Sequence, residues 1–350
     1  MGLIYFIILL SSIVIVHEFG HLITAKIFNV YCYEFSIGMG PKLISKQFKE
    51  TIYSIRLLPV GGFVAMAGED SDDRGIDVPY ERTIKGIDKW KQIIIMLAGV
   101  FMNFLLAWLI MSFIFLSNKY YVESPLPVVA GVVENSPADT AGFMKDDYII
   151  KVVLNDGTII KPDSFYDILP FSQSESKEMT YTVLRNEETI ELKVTPYFDE
   201  TENIYLIGIM IPNGEVITIN IGNAFIYGAS YLIDTTKTLF VSIVRIFSGK
   251  GLDQLSGPVG IYNVAQETVS LGFSSFLMLI ALFSLNVGIF NLLPLPILDG
   301  GRALIVLGEW ITNKQLNKKL ETAIMAFGWI LMISLMIFAT WQDITRLFVR

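Results

Sequence analysis

The chain has 350 residues, 53% hydrophobic and only 17% charged, which is too apolar for an ordinary soluble enzyme and reads as a polytopic α-helical membrane protein. Its net charge of −8 is uneven: residues 117–272 hold 20 acids against 10 bases, residues 26–91 hold 9 against 10, and nothing points to a nucleic-acid partner. The single cysteine, Cys32, excludes an intrachain disulfide framework and reads as a small apolar side chain near a helix end.

The first predicted span covers residues 3–26, where the only charge before Lys26 is Glu18. No Lys or Arg precedes it and no small-residue cleavage site closes it, so an uncleaved anchor is expected rather than a signal peptide. Its second half carries His17-Glu18-Phe19-Gly20-His21, with the chain's only two histidines. Four residues on a helix turn through about 400°, so His17 and His21 stack on one face with the geometry of a zinc pair. Glu18 lies about 100° round, within reach of a water at the metal without being a ligand. A carboxylate deep in a spanning helix costs roughly 2.5 to 3.5 kcal/mol and normally marks function. Polar core residues satisfied by neighbouring helices are the alternative, weakened by the specificity of the motif. A zinc site needs at least one more ligand, and with no histidine left it must be Asp, Glu or Cys.

Ten Lys and Arg lie between Lys26 and Lys91 and none before the span, so the amino terminus is expected outside, this loop in the cytoplasm, and the motif nearer the cytoplasmic side. Within the loop, Leu43–Phe48 and Ile52–Leu58 read as short strands, followed by an apolar, glycine-rich stretch from Pro59 to Glu69. That stretch suits a sheet dipping beside the membrane core, with an edge able to pair with an unwound peptide; an ordinary interfacial hairpin is the alternative. The charged run from Glu69 to Lys91 reads as a solvated face.

The second span is residues 93–116, where Asn103 is either glue between helices or part of a site. Residues 127–196 have the composition of a soluble domain, with strands expected at Val128–Val133, Tyr148–Val153, Thr180–Leu184 and Thr189–Val194 and short helices at Ala138–Gly142 and Ser164–Leu169. Asn223–Phe247, interrupted by Asp234, Lys237 and Arg245, reads as an amphipathic surface helix, and Ser256–Ile261 as a tight turn before the next helix.

The third span, residues 276–298, ends in Asn-Leu-Leu-Pro-Leu-Pro-Ile-Leu-Asp-Gly-Gly. Pro294 and Pro296 remove donors and break the helix at membrane depth, and Asp299 at that break is the ligand candidate for the incomplete zinc pair. Asn286 and Asn291 either hydrogen-bond a peptide strand or satisfy the broken helix itself. Gly300 and Gly301 permit close packing. The fourth span is residues 323–341, preceded by Lys314, Lys318 and Lys319; Arg346 and Arg350 in the tail mildly offend the charge rule.

Ser136–Phe143 followed by Asp147–Ile150 resembles the opening of a permuted PDZ domain of bacterial proteases, with Asp146 where that pattern usually has Gly. In such a domain the loop that meets a peptide's end would fall at Ile207, Gly208 and Ile209, and the domain would hold a peptide or only restrict access. H-E-F-G-H in the first span, P-V-G-G-F-V-A-M-A-G-E in the loop, A-G-V-F-M-N-F in the second span and N-L-L-P-L-P-I-L-D-G-G in the third together resemble the site-2 protease family of intramembrane zinc metalloproteases, in its bacterial sigma-E-type and RasP-type branch. Val100 departs from the usual Pro after Ala-Gly. The resemblance implies a four-span core with a membrane-reentrant β-loop and an inserted permuted PDZ-like domain. It divides the chain into 1–122 (β-loop 41–69), a PDZ-like domain at 123–212, surface helices at 213–275 and the second half of the core at 276–350.

It further implies one Zn2+ on His17, His21 and Asp299, Glu18 as general base, Asn286 and Asn291 as substrate contacts, and Gly61, Gly62, Phe63 and Val64 as the reentrant loop. The expected setting is a bacterial cell membrane, with amino terminus and PDZ-like domain outside. The expected partners are the lipid bilayer and single-span membrane proteins such as an anti-sigma factor or a remnant signal peptide. Two histidines are too few for a di-iron membrane hydroxylase, and the repeated halves of a transporter are missing. The rival from another class is a catalytically silent chaperone or scaffold holding peptides through the PDZ-like domain. The intact Glu18 argues against it, because a structural zinc site needs no adjacent base.

Overall fold

The computed structural model of the chain describes residues 2–69, 76–200, 204–249 and 255–349. It divides into two compact units, one of Met1–Ile114, Ala224–Thr236 and Leu252–Arg350, the other of Phe115–Asn223 and Lys237–Gly251. Among the described residues four helices are long and apolar enough to cross a membrane: Gly2–Ile27, Lys89–Asn118, Phe273–Asn291 and Lys319–Arg346. This is an integral membrane protein.

In the first unit α1 (Gly2–Ile27) is the central element. Leu9, Ile13, His17 and His21 recur every four residues and are all buried, whereas Leu3, Ile4, Ile8, Phe19 and Ile23 face outward. One end of α1 packs with Ala265, Phe276, Leu279 and Ile280, and the other with Cys32, Phe35, Val64, Met66 and Ile95. The strands β1 (Cys32–Phe48) and β2 (Thr51–Met66) are far longer than the two short strands expected, and they pair over a register that doubles back, antiparallel except where Glu34–Ile37 runs alongside Ile52–Ile55 in the same direction. Glu34 to Ile37 face Ala65 to Gly62 on one side and Ile52 to Ile55 on the other, while Ile44 to Phe48 pair with Ile55 to Thr51. Irregular register and the positive φ of Gly38, Gly40 and Gly61 let both strands bend through what reads in sequence as a break. Residues 70–75 of the charged run lie outside the described residues; beyond them Ile84 is buried in the core, so that run is not purely a solvated face.

The second helix, α2 (Lys89–Asn118), exceeds the expected span by two to four residues at each end. The second unit then opens with β3 (Tyr120–Val122), β4 (Gly131–Val132) and α3 (Pro137–Ala141), which Gly142 ends in the left-handed conformation. There follow β5 (Tyr148–Val153), β6 (Ile159–Ile160), a 3-10 turn at Phe165–Asp167 running into α4 (Leu169–Ser172), β7 (Met179–Arg185) and β8 (Glu188–Val194). Short strands β9 (Tyr197–Asp199), β10 (Ile204–Leu206), β11 (Ile209–Met210) and β12 (Val216–Thr218) complete it. Strand order in the main sheet is β6-β5-β7-β8, with β10 on β9, β11 on β4 and β12 on β3 as separate pairs. The helix expected at Ser164–Leu169 is present as the 3-10 turn Phe165–Asp167 with Ser164 at its cap, and it continues into α4, whose first turn Pro170 suits. Asp146 takes the left-handed conformation at φ 70°, where Gly would ordinarily stand. Beside it Asp147 is fully buried and held by Arg185 through two bonds of 2.6 and 2.7 Å, and this pairing raises the Arg185 pKa above its ordinary value.

Helix α5 (Ile221–Phe247) is the expected amphipathic helix, whereas α6 (Pro258–Ser270) starts inside the turn expected at Ser256–Ile261, because Pro258 suits the first helical position. The carboxylate of Asp343 accepts the Gly260 N–H at 2.7 Å in the first turn of α6. Helix α7 (Phe273–Asn291) stops seven residues short of the end of its apolar run, since Pro294 and Pro296 leave residues 292–298 irregular. The chain re-enters a helix at once as α8 (Asp299–Thr312), which the sequence reading does not anticipate, and ends in α9 (Lys318–Val349). Arg350 lies outside the described residues.

Candidate metal centre

The i, i+4 spacing on α1 brings the His17 and His21 Nε2 atoms to 3.2 Å from one another. Asp299, the first residue of α8, places its Oδ2 3.0 Å from His17 Nε2 and 3.5 Å from His21 Nε2. Among the described residues this is the only trio of His, Cys, Asp or Glu whose ligand atoms lie within 4.8 Å of one another.

Three separations of 3.0, 3.2 and 3.5 Å match the edge of a zinc tetrahedron, about 3.3 Å for bonds of about 2.0–2.1 Å. Tautomers point the same way. His21 Nδ1 lies 2.7 Å from the Ile95 carbonyl and donates to it, which leaves Nε2 a bare lone pair. The Asn103 amide lies 3.2 Å from His17 Nδ1, and Asn103 Oδ1 is buried with no partner. A half-turn of that amide puts Oδ1 on the ring N–H, satisfying both groups and freeing His17 Nε2 in turn. Asp299 Oδ2 is also buried, and with both Nε2 atoms bare it has no hydrogen-bond donor. With both rings neutral, three lone pairs converge with no proton between them and repel, and a cation resolves the repulsion.

Helix α2 is shaped for this. Ile95, Gly99 and Asn103 recur every four residues and so share one face. A Cβ on Gly99 would stand 2.5 Å from His21 Nε2 and 2.7 Å from His17 Nε2. Ser284 of α7 donates to the Asn103 carbonyl at 2.9 Å, so a third helix braces the arrangement. At the head of α8, a Cβ on Gly300 or Gly301 would press within 2.3 Å of the carbonyl oxygens of Leu292 and Leu295 respectively, and only glycine lets the proline turn sit there. The Gly99 and Ile95 roles are absent from the sequence reading, although the i, i+4, i+8 pattern ending on Asn103 carries the signal.

Glu18 is half-buried, outside the ligand trio but within electrostatic reach of His21, His17 and Asp299, and the Val64 backbone meets its carboxylate. A Cβ on Gly62 would lie 3.4 Å from Glu18 Cγ, so the Gly61–Val64 stretch runs along the Glu18 face of α1 as part of β2. Phe63 lies under the Arg56 guanidinium at 5.0 Å. Asn286 and Asn291 are five residues apart on α7, about 140° round the helix from one another, so they do not share a face. Asn286 Oδ1 is buried with no partner. In the second unit the Ile207 and Gly208 carbonyls accept from Ala138 and Val133 at 2.8 and 2.9 Å, and Gly208 has φ 88°. Ile207 and Ile209 line a groove together with Phe165, Ile168 and Leu169.

Comparison with known proteins returns peptidase family M50, whose profile matches residues 5–335. The chain is 31% identical to the regulator of sigma-W protease RasP of Bacillus subtilis, over 98% of both chains. It is 34% identical to a protein named as a candidate zinc metalloprotease in Fusobacterium nucleatum, again over 98% of both, and 30% identical to the zinc metalloprotease RasP of Shouchella clausii over 99% of both.

Proposed function

The chain belongs to peptidase family M50, the site-2 proteases, and is an intramembrane zinc metalloprotease; on that footing we propose that His17, His21 and Asp299 hold one zinc ion and that Glu18 is the general base. The convergence of three ligand atoms of metal-binding type at 3.0–3.5 Å carries this reading. Zinc bound there supplies a Lewis acid that makes water a nucleophile near neutral pH. Glu18 would take a proton from the attacking water as its oxygen adds to the scissile carbonyl carbon, and would deliver it to the amide nitrogen as the C–N bond breaks. Burial of the site keeps bulk water out and strengthens each of these interactions.

The substrate is assigned as a single-span membrane protein, by analogy with the regulatory role named for the Bacillus relative. A spanning helix hides its carbonyls in i to i−4 bonds, so cutting it requires local unwinding. The Gly62–Met66 end of β2, bonded to β1 on one side and running past Glu18, offers an edge to replace those bonds, in the role of a reentrant β-loop. Asn286, with its free Oδ1, and Asn291 are assigned to the same task. The basic residues between Lys26 and Lys91 and the exposed Trp90 at the start of α2 support a cytoplasmic placement of that end, with the amino terminus outside. The apolar groove beside Ile207, Gly208 and Ile209 supports a PDZ-like domain in the second unit.

The test is cleavage of a purified single-span substrate by reconstituted protein. Wild type cuts, Glu18→Gln and chelated wild type do not; cleavage surviving either treatment refutes the assignment.

A further inference from the structure

Helix α8 carries its hydrophobic residues on the outside. Gly300, Gly301, Ala303 and Val306 are turned inward, while Leu304, Leu307, Trp310 and Ile311, spaced three, three and one apart, form an outward stripe with exposures between 37% and 73%. Its polar side chains are tied back instead: Arg302 to Glu69 at 3.4 Å, and Glu309 to Lys89 at 2.6 Å and to the Leu316 N–H at 2.9 Å. Fourteen residues reach about 21 Å, short of the ~30 Å hydrocarbon core, so α8 cannot span. It ends at Asn313 in the left-handed conformation, and Lys314, Lys318 and Lys319 follow before the acid Glu321, with Lys314 and Lys319 exposed.

An apolar stripe with a tryptophan at its end, beside a basic segment, matches one occupant: the headgroup layer of a bilayer containing anionic phospholipid. We infer that α8 lies in that layer, with Lys314 and Lys319 on lipid phosphates, and that its anchorage sets the position of Asp299. The lever is direct, because Asp299 is the first residue of the same helix. The inference rests on the metal centre proposed above and adds regulation to it: the lipid that seats α8 also seats the third ligand.

The full chain is tested in nanodiscs of phosphatidylcholine, with and without phosphatidylglycerol, carrying a spin label at Leu307→Cys; Cys32 is buried and stays unlabelled. The label is expected to meet lipid-soluble oxygen and to be shielded from an aqueous nickel complex. Cleavage of a single-span substrate is expected to rise on the order of fivefold with phosphatidylglycerol, the worth of about one lysine at an anionic surface. Lys314→Gln/Lys319→Gln is expected to lose that rise while matching wild type in phosphatidylcholine alone. A label open to nickel, spin–spin broadening from a second copy of the chain, or an equal lipid response in the double variant overturns the inference. If no form of the protein cleaves in either lipid, the protease assignment fails, and label depth, which needs no turnover, still decides the placement of α8.

Discussion

Asn103 on α2 stands 3.2 Å from the Nδ1 of His17 on α1 and is itself held by Ser284 of α7. The amide fixes which ring nitrogen of His17 faces Asp299, and so whether three ligands or two are available to a metal. Replacing Asn103 by Leu is expected to weaken zinc binding by roughly 10- to 100-fold, the usual cost of removing such a partner, while leaving the fold intact. Chelator competition on purified protein measures it, and excess zinc should restore activity to the variant.

Gly99 makes room for both imidazoles. The Cβ of Gly99→Ala would lie 2.5 Å from His21 Nε2, closer than side-chain atoms approach one another, so the rings must move. Metal analysis should find little zinc in this variant, with helix content by circular dichroism unchanged. Full zinc occupancy would mean that α2 yields where the packing says it cannot.

The carboxylate of Glu34 is 1% exposed and is held by Ser54 at 2.6 Å, Arg56 at 2.8 Å and Lys42 at 3.0 Å. Glu34→Ala leaves the Arg56 guanidinium largely buried without its anion, and a loss of about 3–5 kcal/mol follows from breaking such a pair. Denaturant unfolding in detergent measures it. Glu34→Ala/Arg56→Met should recover part of the loss, because neither half of the pair is then stranded.

Acid should loosen α8. Partial burial works against the charge of Glu309, but the Lys89 ammonium and the Leu316 N–H outweigh it and hold the carboxyl below its ordinary 4.5. A depressed carboxyl contributes stability that is full above the unfolded pKa and lost as pH falls through the folded one. The stability difference between wild type and Glu309→Gln should therefore be constant near neutrality and shrink only below about pH 4.5.

Removing residues 127–212 tests whether the second unit restricts access. Substrates with intact ectodomains should then be cut, and unchanged discrimination would deny it a gating role.

Much of the site is legible in sequence because its signals are local. His17 and His21 announce themselves by helical spacing, and Pro294 and Pro296 mark the break that delivers Asp299. The remainder depends on packing between elements distant in the chain. The spacing of Ile95, Gly99 and Asn103 marks one helix face, but that Ile95 offers its carbonyl to His21 and that Gly99 must be bare shows only once α2 lies against α1. The sheet is under-read for a similar reason: Glu34 to Ile37 are bonded on both sides, and glycines that look like strand ends are bends within strands. Helix α8 is hidden because Asp299-Gly300-Gly301-Arg302 reads as the close of the apolar run that ends at Leu298, and two adjacent glycines argue against a helix starting there.

The most direct measurement of the central claim is zinc content, with X-ray absorption, on the purified chain and on Asp299→Ala. One zinc per wild-type chain, with nitrogen and oxygen neighbours at about 2.0–2.2 Å, and its loss in Asp299→Ala with the fold retained, is the expected result. Zinc held equally well without Asp299, or sulfur among the atoms bound to it, would contradict a centre built from His17, His21 and Asp299.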